Sequence, residues 1–317
     1  MTRHFLEPTE ASLHGYFSVD LPPILTIESG DTVQVRTLDA GWGLEALSLE
    51  RRPRKRVAPP TDAPLQGHAL CGPIAIRGAQ PGMTLGVAIE TVRPGPWGWT
   101  WSGGAHGNPI NQRLGTDTGE ETLLLWEVDA ARNLAQNQLG HRVSLRPFMG
   151  ILGMPPPTPG AHSTWPPRRW GGNLDCKELV AGSVLYLPIG VEGARFSVGD
   201  GHGAQGDGEI GGQAIECPME QVDLTFTLHT DFPITTPHAQ IAAGWLTFGF
   251  HEDLDEATVI ALNAMLDLMM GRYDCSRKEA LGLASIIVDV RVTQIVNGVR
   301  GVHAFLPDTT VNEYSVT

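Results

Sequence analysis

The stretch Phe196 to Gly212, "FSVGDGHGAQGDGEIGG", gathers Asp200, His202, Gln205, Asp207 and Glu209 within ten positions and separates them mostly by glycine. On extended backbone the i, i+2 spacing of Asp200 and His202 turns both side chains to one side, within reach of one ion. A carboxylate beside an imidazole is a hard-to-borderline donor set, better suited to zinc, iron or manganese than to a soft copper site. The glycines then serve close approach around such an ion, taking up positive φ where other residues would be strained. Other motifs fail position by position. An EF-hand counted from Asp200 would need glycine and glutamate where Gln205 and Gly211 stand. The Lys-Ser/Thr of a phosphate-binding loop is missing, and "EIGGQAIECPM" does not promise the helix of a dinucleotide fold.

Around this block the chain reads as β-rich. Its 38 glycines and 24 prolines punctuate short alternating apolar runs. "ESGDTVQVRT" places Val33 and Val35 on one strand face, "AQPGMTLGVAIE" does so for Leu85, Val87 and Ile89, and "VAGSVLYLPIGV" repeats the pattern from Gly182 to Leu187. These are similar hairpin entries in a sandwich or jelly roll. The C-terminal part differs. Asp253 with Glu256 opens a helix whose face is Ala257, Ile260, Ala261, Ala264, Met265, Leu268 and Met269. Ser276 with Glu279 opens a shorter one, followed by a strand alternating Val288, Val290 and Val292. The expected fold is therefore α+β, mainly β: a sandwich or jelly-roll-like body with a helix-containing C-terminal portion. It forms one unit over 1–317, divisible into 1–248 and 249–317. In "GPWGWTWSGGAHG", Trp97, Trp99 and Trp101 fall on one side of a strand, as core packing or as a substrate wall.

Composition excludes several classes of partner. The formal charge of -13 repels phosphate backbones and anionic lipid, so no nucleic acid and no membrane is expected. The one basic run, "RRPRKR" from Arg51 to Arg56, reads as a solvated loop. The N-terminal residues lack the apolar stretch of a signal peptide, which points to the cytoplasm. Cys71, Cys176, Cys217 and Cys275 lie far apart, without a Cys-x-x-Cys pair, and are expected as reduced thiols.

The longer run "RRWGGNLDCKELVAGSVLYLPIGVEGARFSVGDGHGAQGDGE" resembles the acetamidase/formamidase family of amide hydrolases. Its pattern of Gly-Gly-Asn-x-Asp, Gly-Ser-x-Leu-x-Leu-Pro and Gly-Asp-x-His-x-x-Gln-Gly-Asp-Gly-Glu is matched in order and spacing. "GPIAIRGAQPGMTL", "FMGILGMPP" and "EALGLASIIVDVRVTQIVNG" are further echoes. Two departures are "QPGM" in place of a Glu-Pro-Gly-Asp turn and Gly203 in place of alanine; neither removes a ligand. The segments around "RRPRKR" and the tryptophans match nothing in that pattern.

The resemblance implies hydrolysis of a non-peptide carboxamide by metal-activated water, with zinc as the expected divalent metal and a homodimer or higher homo-oligomer as the expected assembly. It adds Asp175 to Asp200 and His202 as metal ligands, with His68 as a weaker fourth. Glu209 is the expected proton shuttle. Asp207 and Glu216 are alternatives for that role, and Asn173 and Gln205 are candidate amide-recognition groups because each offers donor and acceptor. Competing readings are a hydrolase of cyclic amides or esters, a cupin-type non-catalytic metal barrel, and a thiol nucleophile at Cys176.

Overall fold

The structure, a computed structural model, describes residues 1–59, 63–104 and 109–308. The last part of the expected C-terminal portion, 309–317, lies outside the described residues, as do 60–62 of the segment after the basic run and 105–108 after the tryptophans.

The alternating stretches form the expected strands: Thr32–Thr37, Thr84–Pro94 and Ser183–Pro188. Among the described residues they belong to one nine-stranded sheet, in which Met219–His229 lies between the first two and Ser183–Pro188 borders Thr84–Pro94. Val33, Val35, Leu85, Val87, Ile89, Leu185 and Leu187 all point into the core. A six-stranded sheet packs over them; it contains Phe148–Gly153, Phe196–His202 and Leu70–Ile76. One apolar cluster joins the two sheets, and the Phe196 and Phe226 rings meet edge to face across the interface at 5.2 Å. This is the sandwich.

Period-two burial explains the nine-stranded sheet, but every residue of Phe196–His202 is buried. The strand is enclosed on both sides, so its glycines have a packing role. A Cβ on Gly199 would lie 2.3 Å from the Ala69 carbonyl oxygen, and one on Gly201 would lie 2.7 Å from that of Cys217. Neighbouring backbones close in on both sides there.

A four-stranded antiparallel meander holds Trp97–Ser102 at its edge, paired to Thr122–Asp129. Glu216 stitches it to the six-stranded sheet. Its backbone exchanges hydrogen bonds with Trp99, and it bridges His202 on the other side.

At the C-terminal end Leu254–Tyr273 starts at Asp253, whose side chain accepts the amide hydrogens of Asp255 and Glu256. Arg277–Ile287 starts with a complete capping box between Ser276 and Glu279. Ala257, Ala261, Ala264, Met265 and Met269 are buried as the spacing requires, joined by Leu266, whereas Ile260 and Leu268 are only half-buried. The following strand, Asp289–Asn297, is an edge strand of the nine-stranded sheet. Its valines are exposed or half-buried, and Thr293, Gln294 and Asn297 are the buried residues. Register shifts flank Gln294, and of these polar residues Asn297 reaches the centre described below. No helix among the described residues is long and apolar enough to cross a membrane.

The basic run is largely a solvated loop, as expected, with one anchored residue. Arg54 forms an ion pair at 2.7 Å with the fully buried Asp39, and the guanidinium groups of Arg54 and Arg51 lie over the Trp97 and Trp101 rings. Emptying the contact between the two large sheets is the sharpest test of the sandwich. Phe196→Ala is expected to cost about 3–5 kcal/mol, read as a lower urea midpoint with an unchanged slope.

Candidate metal and amide site

All three sheets meet at a buried acidic cluster. The strand Phe196–His202 delivers Asp200 and His202, and the loop after Gly171–Asn173 delivers Asp175. The loop carrying Glu209 docks on the edge strand: the Gly208 amide donates to the Thr293 carbonyl, and the Ile295 amide donates to that of Gly208. Glu216 arrives on the segment that bridges to Trp99. Each of these five side chains is at most 6% exposed.

Ligand-type atoms of Asp175, Asp200 and His202 lie within 4.8 Å of one another, and so do those of His202, Glu209 and Glu216, so His202 belongs to both groups. The imidazole is oriented from behind. Gln205 Oε1 lies 2.9 Å from His202 Nδ1, and Gln205 Nε2 donates to the Asp175 carbonyl oxygen at 2.7 Å. That leaves Nε2 facing Asp200 Oδ1 and Glu216 Oε2, each 3.4 Å away and too far for a good hydrogen bond. His202 Nε2, Glu216 Oε2, Asp175 Oδ1 and Asn173 Oδ1 are all buried without a hydrogen-bond partner.

Orphaned acceptors around one point are costly unless a cation satisfies them. The backbone keeps that space open. A Cβ on Gly150 would lie 2.7 Å from Asp200 Oδ2, 2.8 Å from Asp175 Oδ1 and 2.9 Å from His202 Cε1. The donor set is oxygen and imidazole nitrogen, as a zinc-like divalent ion requires. The residues fit the group.

Electrostatics give the same answer. Burial, reinforced by Glu209 and Asp200, pushes the Asp175 carboxyl well above the usual range, and burial with Glu216 and Asp200 pushes Glu209 up to about 8. Glu216 is raised as well, chiefly by burial. Burial opposes charge on His202, yet Glu216 and Asp200 outweigh it and hold the imidazole well above its ordinary value. Without a metal, protons supply the positive charge the cluster needs.

Strain concentrates here too. Asp175, Asp200 and Glu209 have φ of 48°, 60° and 45°, so the acidic residues themselves, more than the intervening glycines, occupy the left-handed region.

The remaining expected residues are distributed unevenly. Asn173 lines the adjoining cavity, its Nδ2 donating to the Trp165 carbonyl oxygen. His68 lines the same cavity, with Nδ1 2.8 Å from Thr164 Oγ1, and it stands outside both ligand groups. Gln205 orients His202 and does not line the cavity. Asp207 is turned outward, exposed and paired with Lys177 at 2.9 Å, because Gly208 and Glu209 follow the edge strand inward while Asp207 does not. Cys176 is buried, and burial pushes its thiol up to about 12, which disfavours the thiolate a nucleophile needs. His202 is the single imidazole in the two ligand groups among the described residues, unlike a multi-histidine cupin site.

Asn297 was missed by sequence reasoning. Its Nδ2 donates to Asp175 Oδ2 at 2.6 Å and lies 3.4 Å from Glu209 Oε2. The signal was its place in the C-terminal "IVNG", distant in sequence from every other group.

A profile of the acetamidase/formamidase family matches residues 2–162 and 158–308. The chain belongs to the acetamidase/formamidase family. A formamidase of Methylophilus methylotrophus is 26% identical over 250 residues, spanning 63% of this chain and 60% of that protein, so the chain spans about three fifths of that curated relative. The solved acetamidase of Bacillus halodurans is 26% identical, with a TM-score of 0.80, over 96% of this chain and 97% of that one. A predicted acetamidase/formamidase of Thermoanaerobacter tengcongensis has a TM-score of 0.83 at 23% identity, over 96% of both chains, which shows a shared fold.

Two outcomes test the site. Gly150→Ala places a methyl group inside the ligand shell and is expected to lower bound metal by at least about tenfold, as read by elemental analysis of folded protein. Metal binding is expected to release protons, because the raised ligands Asp175 and His202 must give theirs up. Affinity therefore falls as the pH drops and these ligands hold their protons, and buffer-dependent calorimetric heats will show it.

Proposed function

We propose that this chain hydrolyses a linear carboxamide, releasing ammonia or an amine and a carboxylate. The observation that carries the reading is the convergence of orphaned Asp175 and His202 atoms, beside Asp200, on a space that Gly150 leaves open, with orphaned Glu216 Oε2 3.4 Å from His202 Nε2. Asp175, Asp200 and His202 would hold a divalent metal, with zinc our assignment from the oxygen and imidazole donors. When bound, such an ion polarises an amide carbonyl and acidifies water.

The chain's own groups supply the rest. Asn173 lines the cavity and its Oδ1 has no hydrogen-bond partner, so it would accept the amide N–H of a substrate. Glu209 lines that cavity, and burial among carboxylates favours its protonated form. In its ionised form, which the positive charge of a bound divalent ion would favour, it would take a proton from water and return it to the departing nitrogen, which leaves only when protonated. Asn297 keeps Glu209 and Asp175 in register. Glu216 is less free to shuttle, since its Oε1 accepts the Ala214 amide hydrogen. Gln205 serves by fixing the imidazole, which leaves Asn173 as the amide-recognition group. The same reading places the enzyme in the cytoplasm as a homo-oligomer, and its four unpaired cysteines suit reducing surroundings.

Ammonia release from acetamide and formamide, measured before and after chelation and metal restoration, tests the proposal. Activity is expected to vanish and return, and full activity in metal-free protein would overturn it. Glu209→Gln should lower kcat by about 10²–10⁴-fold while metal content is kept. Asp200→Asn and His202→Ala should lose metal and activity together, whereas Cys176→Ala and Asp207→Asn should stay active.

A further inference from the structure

The cavity above the acidic cluster is about 300 Å³, and its walls differ from its base. Pockets of about 300–1,000 Å³ hold drug-sized ligands, and a water molecule occupies about 30 Å³ of liquid, so acetamide would leave most of this space wet. Asn173, Asp200, Glu209, Glu216 and Asn297 form the base, and Trp42, Trp99 and Trp165 stand in the walls.

The indoles of Trp42 and Trp99 have their polar edges committed elsewhere. The Trp42 N–H donates to the Gly67 carbonyl oxygen at 2.8 Å, and the Trp99 N–H donates to Asp39 Oδ2 at 2.6 Å. What remains for the cavity is carbon. Asp39 also accepts Arg54, so the wall is pinned by a buried chain from guanidinium to carboxylate to indole. Trp165 completes the rim. It is 52% exposed, its ring meets that of His68 at 4.4 Å, and its carbonyl oxygen accepts Asn173 Nδ2. An indole this exposed contributes little to the core, yet it is held beside the group assigned to the amide.

We propose that the substrate is an aromatic carboxamide, with its carbonyl at the acidic cluster and its ring among Trp42, Trp99 and Trp165. The proposal rests on the amide-hydrolase reading and names its substrate class. A flat ring matches rigid indole walls and loses little conformational freedom on binding, unlike a long flexible acyl chain. Of the three tryptophans in the Trp97–Ser102 strand, Trp99 alone lines the cavity; Trp97 and Trp101 carry the arginines.

The test uses metal-loaded protein and three amides: acetamide, cyclohexylacetamide and phenylacetamide. kcat/KM for phenylacetamide is expected to exceed that for the other two by about tenfold or more. Trp165→Ala, at an exposed position that spares the core, should raise KM for phenylacetamide about tenfold with kcat kept, and should change KM for acetamide less than about twofold. Equal kcat/KM across the panel, a preference for the saturated ring, or equal KM shifts in the variant would overturn the proposal. Calorimetric binding separates it from the hydrolase reading. Phenylacetamide that binds wild type, weakens about tenfold in Trp165→Ala and is not hydrolysed would uphold the pocket and sink the hydrolase. Phenylacetamide that does not bind, while acetamide binds or is hydrolysed, would sink the pocket alone.

Discussion

Four carboxyl groups, Asp175, Asp200, Glu209 and Glu216, are buried around one imidazole, with little solvent to share the charge. Such an arrangement stands only if positive charge is supplied from within, by protons or by a metal. Much of the local architecture serves that constraint. Gly150 vacates the centre, Gln205 fixes the direction of His202, and Asn297 donates between two carboxyls that would otherwise repel. The left-handed backbone at three of the acidic residues is a further cost, sustained by the hydrogen-bonded segments on either side.

The sandwich makes this centre possible by bringing three sheets to one place. The six-stranded sheet contributes Asp200 and His202, the edge of the nine-stranded sheet contributes Asn297, and the Glu216 segment ties in the meander through Trp99. Because Glu216 and Trp99 exchange backbone hydrogen bonds, the chemistry and the cavity wall are set by the same pairing. A displacement of the meander would move Glu216 as well as the indole.

Local periodicity and local capping carried much of the fold in the sequence. Val33 with Val35, the Leu85 to Ile89 run, and the helix starts at Asp253 and Ser276 each depend on residues a few positions apart. The Asp200/His202 pair was readable for the same reason, being two residues apart on one strand. Gly150, Asn297, Trp42 and Trp165 were not readable as site residues, because their roles come from register between strands far apart in the chain. The edge strand was readable only in part. Its alternating valines marked a strand but not which residues it buries: the valines are exposed or half-buried, and Thr293, Gln294 and Asn297 are the buried ones. The basic run was readable as a solvated loop, but its one anchor was not: composition could not show that Arg54 pairs with a buried aspartate or that Arg54 and Arg51 lie over indoles.

That docked arginine segment separates two kinds of change that mutation can make. The hairpin it belongs to returns from Trp42 to Val57 through backbone hydrogen bonds of its own and is held to the body by Arg54 on Asp39. It contributes no group to the acidic cluster. Its exposed residues away from Trp42, Gly43, Arg51 and the anchor can therefore vary in charge while the reacting centre keeps its geometry. A lineage that shares this centre can acquire a new diet by rewriting one surface hairpin.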